Sequence, residues 1–219
     1  MKCRPKFIFL LAAVAPWLGT AYSQSVVEGI VKSPGPAANP PPNARYQIKT
    51  SGPVASPETG AAVVYLEGTF PPAAATNAPS TAELGQKNFQ FAPGLLPIRK
   101  GTAVQFPNYD GEYHNVLSYS KAKEFDLGRY LKGEKPPSLV FDQPGLVELN
   151  CEIHEHMRGY ILVLDTPYFT KTDAGGKYRL ENLPAGKHIL KAWINPKTVW
   201  AQPVELKPAA TLQVNFQAP

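Results

Sequence analysis

Over no long window of this chain do the apolar residues repeat at the 3.6-residue spacing of an amphipathic helix. They come in short runs rich in β-branched and aromatic side chains, at residues 26–31, 62–66, 103–106, 114–119, 146–149, 160–164, 177–180, 188–193 and 212–216. Pro, Gly, Asn or Asp bound these runs, the residues that stop strands and supply turns. With 24 prolines and 17 glycines punctuating 219 residues, the pattern predicts an all-β fold. Two stretches, 33–44 and 71–82, are so rich in Pro, Ala, Asn and Ser that they cannot feed a backbone hydrogen-bond ladder, and both read as surface loops.

The chain opens with Lys2, Arg4 and Lys6, then an apolar run over residues 7–18, then small residues at Ala21 and Ser23. That order is the one found in a secretory signal peptide, here residues 1–23, with Gln24 as the first mature residue. At about 12 residues the apolar run is too short for a bilayer span, which takes about 20. No later run is longer, so no membrane span is expected and the expected location is periplasmic or secreted. The formal charge of +5 includes the three leader cations. About +2 remains on the mature chain, which argues against a strongly basic nucleic-acid or anionic-membrane binder. About 195 mature residues allow one large domain or two small ones.

Cys3 lies in the leader, so Cys151 is the one cysteine expected in the mature protein. An unpaired thiol in an exported chain needs a function. Cys151-Glu152-Ile153-His154-Glu155-His156-Met157 sets a thiol, an imidazole and a thioether at Cys-x2-His-x2-Met spacing, with His114-Asn115 upstream. Thiolate and thioether sulfur suit Cu(I), and imidazole suits both Cu(I) and Cu(II). His114, Cys151, His154 and Met157 are therefore candidate ligands of one mononuclear type 1 (blue) copper. Each has a plainer reading alone: a buried cysteine is ordinarily a small hydrophobe, and His114 and Met157 would pass as core residues. Their joint spacing favours ligation. His156 stays open, as an alternative ligand or as a rim histidine beside Glu155, and His188 belongs to a strand pattern.

A longer ordered series surrounds these residues. Phe89-x-Phe91-x-Pro93 and Pro97-Ile98-x2-Gly101-Thr102-x-Val104-x-Phe106-x-Asn108 are followed by His114-Asn115-Val116, Phe141-x2-Pro144-Gly145-x-Val147 and Cys151-x2-His154-x2-Met157-x-Gly159. Residues 86–165 thereby resemble the cupredoxins, in particular the plastocyanin and amicyanin group, with the short amicyanin-type ligand loop. The resemblance implies a Greek-key β-sandwich, with His114 at a strand end and the other ligands in one tight loop. Asn115, by the same resemblance, is expected to send its backbone N–H to the cysteine sulfur and to tie the two ligand loops with its side chain.

The flanking segments carry a second resemblance. Thr172-Asp173-x2-Gly176-x-Tyr178-x-Leu180-x2-Leu183-Pro184-x-Gly186-x-His188-x-Leu190, with strands like Val27-x-Gly29-x-Val31 and residues 60–66 ahead of it, is similar to the carboxypeptidase regulatory-like, transthyretin-like β-sandwich. Residues 24–70 with 166–219 are thus expected to form one discontinuous sandwich, with the cupredoxin inserted in it or packed on it. A terminal extension lying beside the cupredoxin sheets is the plainer alternative.

Rival chemistries lack specific residues. A binuclear copper centre needs a second cysteine in the ligand loop, a polysaccharide-cleaving oxygenase an N-terminal histidine, and a multicopper oxidase more His-x-His motifs than His154-x-His156. Zinc rarely takes methionine, and no Ser-His-Asp, phosphate-loop or paired-carboxylate arrangement stands out. The expectation is a non-enzymatic electron carrier whose partner is a redox protein such as a c-type cytochrome or a dehydrogenase. Glu112, Glu152 and Glu155 would form an acidic rim for a basic partner. A copper carrier or sensor without rapid electron transfer is the alternative, and an exported structural protein with an empty site the weaker third.

Overall fold

The computed structural model describes residues 24–33, 60–70 and 81–217. The expected signal peptide and most of the two expected loops lie outside them. Among the described residues there are eighteen strands, β1 (Ser25–Lys32), β2 (Val63–Leu66), β3 (Thr81–Glu83), β4 (Gly85–Gln86), β5 (Phe91–Ala92), β6 (Leu95–Arg99), β7 (Thr102–Gln105), β8 (His114–Ser120), β9 (Lys123–Tyr130), β10 (Ser138–Phe141), β11 (Gly145–Asn150), β12 (Arg158–Leu164), β13 (Phe169–Lys171), β14 (Lys177–Leu183), β15 (Gly186–Asn195), β16 (Thr198–Leu206), β17 (Thr211–Gln213) and β18 (Phe216–Gln217). The fold is all-β, and no helix among the described residues is long and apolar enough to cross a membrane.

Four sheets account for all but the small β4–β5 hairpin. The first runs β14-β1-β17, with β18 also on β1; the second runs β13-β2-β15-β16; the third, β6-β12-β11-β8-β9; the fourth, β10-β7-β3. Strands before and after the site-bearing segment pair directly: Val27 lies opposite Leu180, and Val63 opposite Trp193. Between the first and second sheets lies one apolar core, including Val27, Leu66, Leu183, Leu190 and Phe216. A second core, between the third and fourth sheets, holds Phe106, Phe141, Val147, Ile161 and, at its end, Cys151 and Met157.

A third cluster joins the two sandwiches. Val63 and Trp193 of the second sheet meet Leu95, Leu162 and Leu164 of the third, and the Tyr160 and Trp193 rings approach edgewise at 5.8 Å. β12 is accordingly buried on both faces: Ile161 and Val163 enter the site-bearing core, while Leu162 and Leu164 enter the junction. Continuous apolar sequence at residues 160–164 is what such a strand requires, because period-2 alternation is lost when neither face meets water.

Two expectations are corrected. The loop expected over 71–82 ends too late, because Thr81 and Ala82 belong to β3, paired in parallel with Ala103 and Val104. Ala82 packs on the site-bearing core, ahead of the expected boundary at Gln86. The run 212–216 is not one strand. β17 and β18 both pair with β1 and break at Val214 and Asn215. There the Asn215 side chain accepts the Ile30 N–H at 2.9 Å, and the Val214 carbonyl accepts the Tyr178 hydroxyl at 2.7 Å. A Cβ on Gly29 would sit 1.8 Å from that carbonyl, so the crossing is possible only over glycine.

Trp193→Ala should lower the unfolding free energy by about 3–5 kcal/mol, the cost of emptying a large buried site. Exposed Val199, 47% accessible one strand away, should change it by less than about 0.5 kcal/mol when truncated to alanine. Urea unfolding of both variants checks this, and equal effects would mean that the junction carries no special weight.

Candidate metal centre

Sheet register brings the donors together. β8 begins at His114 and runs antiparallel to β11, with Asn150 opposite Leu117. The start of β8 and the end of β11 therefore lie at the same end of the third sheet, and Cys151 follows at once. β11 and β12 pair from Gly145–Val163 through Asn150–Arg158, which leaves residues 151–157 as a tight connection. The Met157 N–H donates to the His154 carbonyl at 2.8 Å, and the Cys151 N–H to the Met157 carbonyl at 3.3 Å.

His114, Cys151 and His154 each turn one ligand atom inward, all within 4.8 Å of one another. The two imidazole Nδ1 atoms are 2.9 Å apart, and Cys151 Sγ is 3.7 Å from His154 Nδ1. His114 is fully buried and Cys151 only 4% accessible. His154 is half-buried and gives the site its outer wall. Met157 is fully buried in the same core cluster as Cys151. His156 is not among the three converging residues; its ring centroid is 6.2 Å from that of His154, and its buried Nε2 has no hydrogen-bond partner.

The polar surroundings arrange the trio. Asn115 Oδ1 accepts the Glu152 N–H at 2.7 Å, tying the start of β8 to the ligand loop. Burial pushes the Cys151 thiol pKa up. The neighbouring His114 ring and hydrogen bonds from the backbone N–H groups of Asn115, Ile153 and His154 outweigh it, and the net shift is downward, toward thiolate. For His114 burial lowers the pKa, while its bonds to Cys151 and Asp110 raise it above the ordinary value. His154 is lowered, by burial first and then by the nearby His114 and His156.

Asp110 and Phe89 have roles that sequence reasoning missed. Asp110 Oδ2 lies 2.9 Å from His114 Nε2. A carboxylate only accepts, so Nε2 carries the proton and Nδ1 is presented to the site. The same carboxylate accepts the Asn88 and Phe89 N–H groups, at 2.7 and 2.9 Å. The spacing Asp110-x3-His114 was the available signal. Phe89 stands edge-on to His114 and to His154, with centroids 5.5 and 5.0 Å away. It stood in the cupredoxin-like motif without an assigned role.

Of the expected acidic rim, Glu152 is paired with Arg129 at 3.0 Å, while Glu112 and Glu155 are exposed. Tyr109, Tyr113 and Ile153 are the large apolar side chains exposed beside these loops.

The donor set fits copper. It offers one sulfur inclined to thiolate and two imidazole nitrogens whose nearest polar neighbours are one another, with a buried thioether residue at the end of the loop. No protein-family model matches the chain, and no curated protein matches it. Among solved structures it is similar to the copper-containing nitrite reductase NirK from Thermus scotoductus SA-01, at 24% identity over 39% of this chain and 23% of that one, with a TM-score of 0.37. It is also similar to a purple cupredoxin from Nitrosopumilus maritimus, at 23% identity over 37% of this chain and 98% of that one, TM-score 0.34. A reduced amicyanin variant is 23% identical over 46% of this chain and 97% of that one, TM-score 0.36. The chain thus spans under a quarter of the nitrite reductase, and the reading of the site rests on its own geometry.

Acid should loosen the metal-free site in a defined window. Burial raises the Asp110 pKa, but the Phe89 and Asn88 N–H groups and His114 bring it below its ordinary 3.8. A depressed carboxylate contributes stability that is complete above the unfolded pKa and is lost as pH falls through the folded one. The urea midpoint of metal-free protein should therefore fall between about pH 5 and about pH 3, and fall less in Asp110→Asn. Equal slopes in the two proteins would remove Asp110 from the linkage.

Proposed function

We propose that the chain is an exported cupredoxin-type protein that carries single electrons through one type 1 copper and has no enzymatic activity of its own. The convergence of His114, His154 and Cys151, one ligand atom of each within 4.8 Å of the others, is the observation that carries this reading. Copper held by these three residues and Met157 would supply a Cu(I)/Cu(II) couple that one donor set tolerates in both states. The protein's part is to keep that set in place. His114 and Cys151 are locked by Asp110 and Asn115, and the sheet register closes the loop, so little rearrangement accompanies a change of charge.

Half-buried His154 is the ligand that reaches the surface, and Tyr113 and Ile153 beside it are 49% and 38% accessible. We assign this face to a redox protein such as a c-type cytochrome or a dehydrogenase. Export to the periplasm or beyond follows from the leader-like residues 1–23. We further propose that residues 24–70 and 166–219 form one sandwich of carboxypeptidase regulatory-like type, interrupted by the cupredoxin; the direct pairing of β1 with β14 and of β2 with β15 supports this. That second sandwich would have a structural role.

Copper(II) added to the refolded chain should produce an intense visible thiolate-to-copper absorption, lost completely in Cys151→Ser. Retention of the band without the thiol, or its absence from the native chain, overturns the reading. Stopped-flow oxidation by c-type cytochromes, beside copper loss to a chelator, tests the carrier role. Fast exchange with copper retained is expected; sluggish exchange with ready copper loss would make the chain a copper carrier or sensor.

A further inference from the structure

The turn between β4 and β5 supplies no ligand, yet it reaches both ligand-bearing segments. Lys87 and Gln90 exchange backbone hydrogen bonds of 2.9 and 3.2 Å, which makes Asn88 and Phe89 the central pair of a two-residue hairpin. Their φ angles are 55° and 59°. Such turns match the twist of paired strands but need left-handed backbone at both central positions, a demand that Asn and Gly meet best. Asn88 suits its place. Phe89 does not, for a bulky side chain in that conformation is an outlier.

The strained tip is held by one carboxylate. Asp110 accepts both of its N–H groups while also bonding His114. The Phe89 ring meets the His114 and His154 rings edgewise, each at 89°, the arrangement that aromatic quadrupoles favour. Glycine would serve the turn better, so the value of an aromatic residue here lies in what its ring touches.

We propose that Phe89 is a positioning residue, and that the Lys87–Gln90 hairpin, pinned by Asp110, is a clasp that holds both imidazoles in their ligating rotamers before metal arrives. Metal then enters and leaves only as fast as the clasp gives. The metal-loss arm of the test rests on the copper reading; the metal-free arm does not.

The experiment takes the full chain, metal-free and copper-loaded, as native protein, Phe89→Ala and Phe89→Tyr. In metal-free protein, NMR of the histidine rings should show His154 broadened by rotamer exchange in Phe89→Ala, with His114 less affected because Asp110 still holds it. In loaded protein, copper loss to a chelator should speed up by about tenfold. Phe89→Tyr, which keeps the ring edge, should restore both readings. Should Phe89→Ala fail to fold, Phe89→Leu is read instead, with the same loosening to a smaller degree expected. A His154 ring as ordered as in native protein, with unchanged copper loss, overturns the clasp. If the blue band also fails in native protein the copper reading falls separately, and the metal-free spectra still decide whether Phe89 orders the rings.

Discussion

Everything at the site depends on β12 being buried on both faces. Its odd-numbered residues Ile161 and Val163 fill one core, and its even-numbered residues Leu162 and Leu164 fill the junction with Val63 and Trp193. A slip of one residue would exchange the two sets, so neither core would tolerate it. Burying an aliphatic side chain is worth about 1.5–3 kcal/mol, and four such residues pin the register. Because β12 starts where the ligand loop ends, and β11 stops where it begins, the same register sets where Cys151 and Met157 stand.

Within that frame, the site balances burial against hydrogen bonding. Burial alone would favour a neutral thiol, yet the His114 ring and three backbone N–H groups turned on Cys151 pull it the other way. Asp110 does the corresponding work on His114, fixing which nitrogen carries the proton. Asp110 also holds the hairpin that carries Phe89, so one carboxylate couples the orientation of a ligand to the shape of the wall beside it. Preorganisation of this kind places the ordering cost in folding rather than in a later binding step.

What could be read beforehand divides along sheet position. The runs recognised from sequence include all seven interior strands, β1, β2, β7, β8, β11, β12 and β15. The strands not anticipated in the four sheets, β3, β6, β9, β10, β13 and β16, all lie at edges. Edge strands need fewer paired N–H groups and have solvent on one side, so they accept residues that normally stop a strand. Pro97 in β6 and Pro203 in β16 are of this kind, and β9 alternates exposed and half-buried residues under a largely polar sequence. The break at Val214 and Asn215 was hidden for another reason: it exists to let the chain cross Gly29, a residue far away in sequence.

The amino-acid sequence by itself determined the all-β class, the interior strands and the grouping of Cys151, His154 and Met157, because strand propensity and loop spacing are local properties. It also named His114 and Asn115, through their place in an ordered motif. Tertiary structure decided the rest. Whether His156 or His154 turns inward depends on a loop closed by β11 and β12, and the roles of Asp110 and Phe89 depend on a hairpin folding back over residues 20 or more positions away. The joining of β1 and β2 to strands beyond the site-bearing segment is likewise a matter of hydrogen bonds between distant residues. Such interactions carry no periodicity along the chain, and only the packed sheets bring their partners within reach.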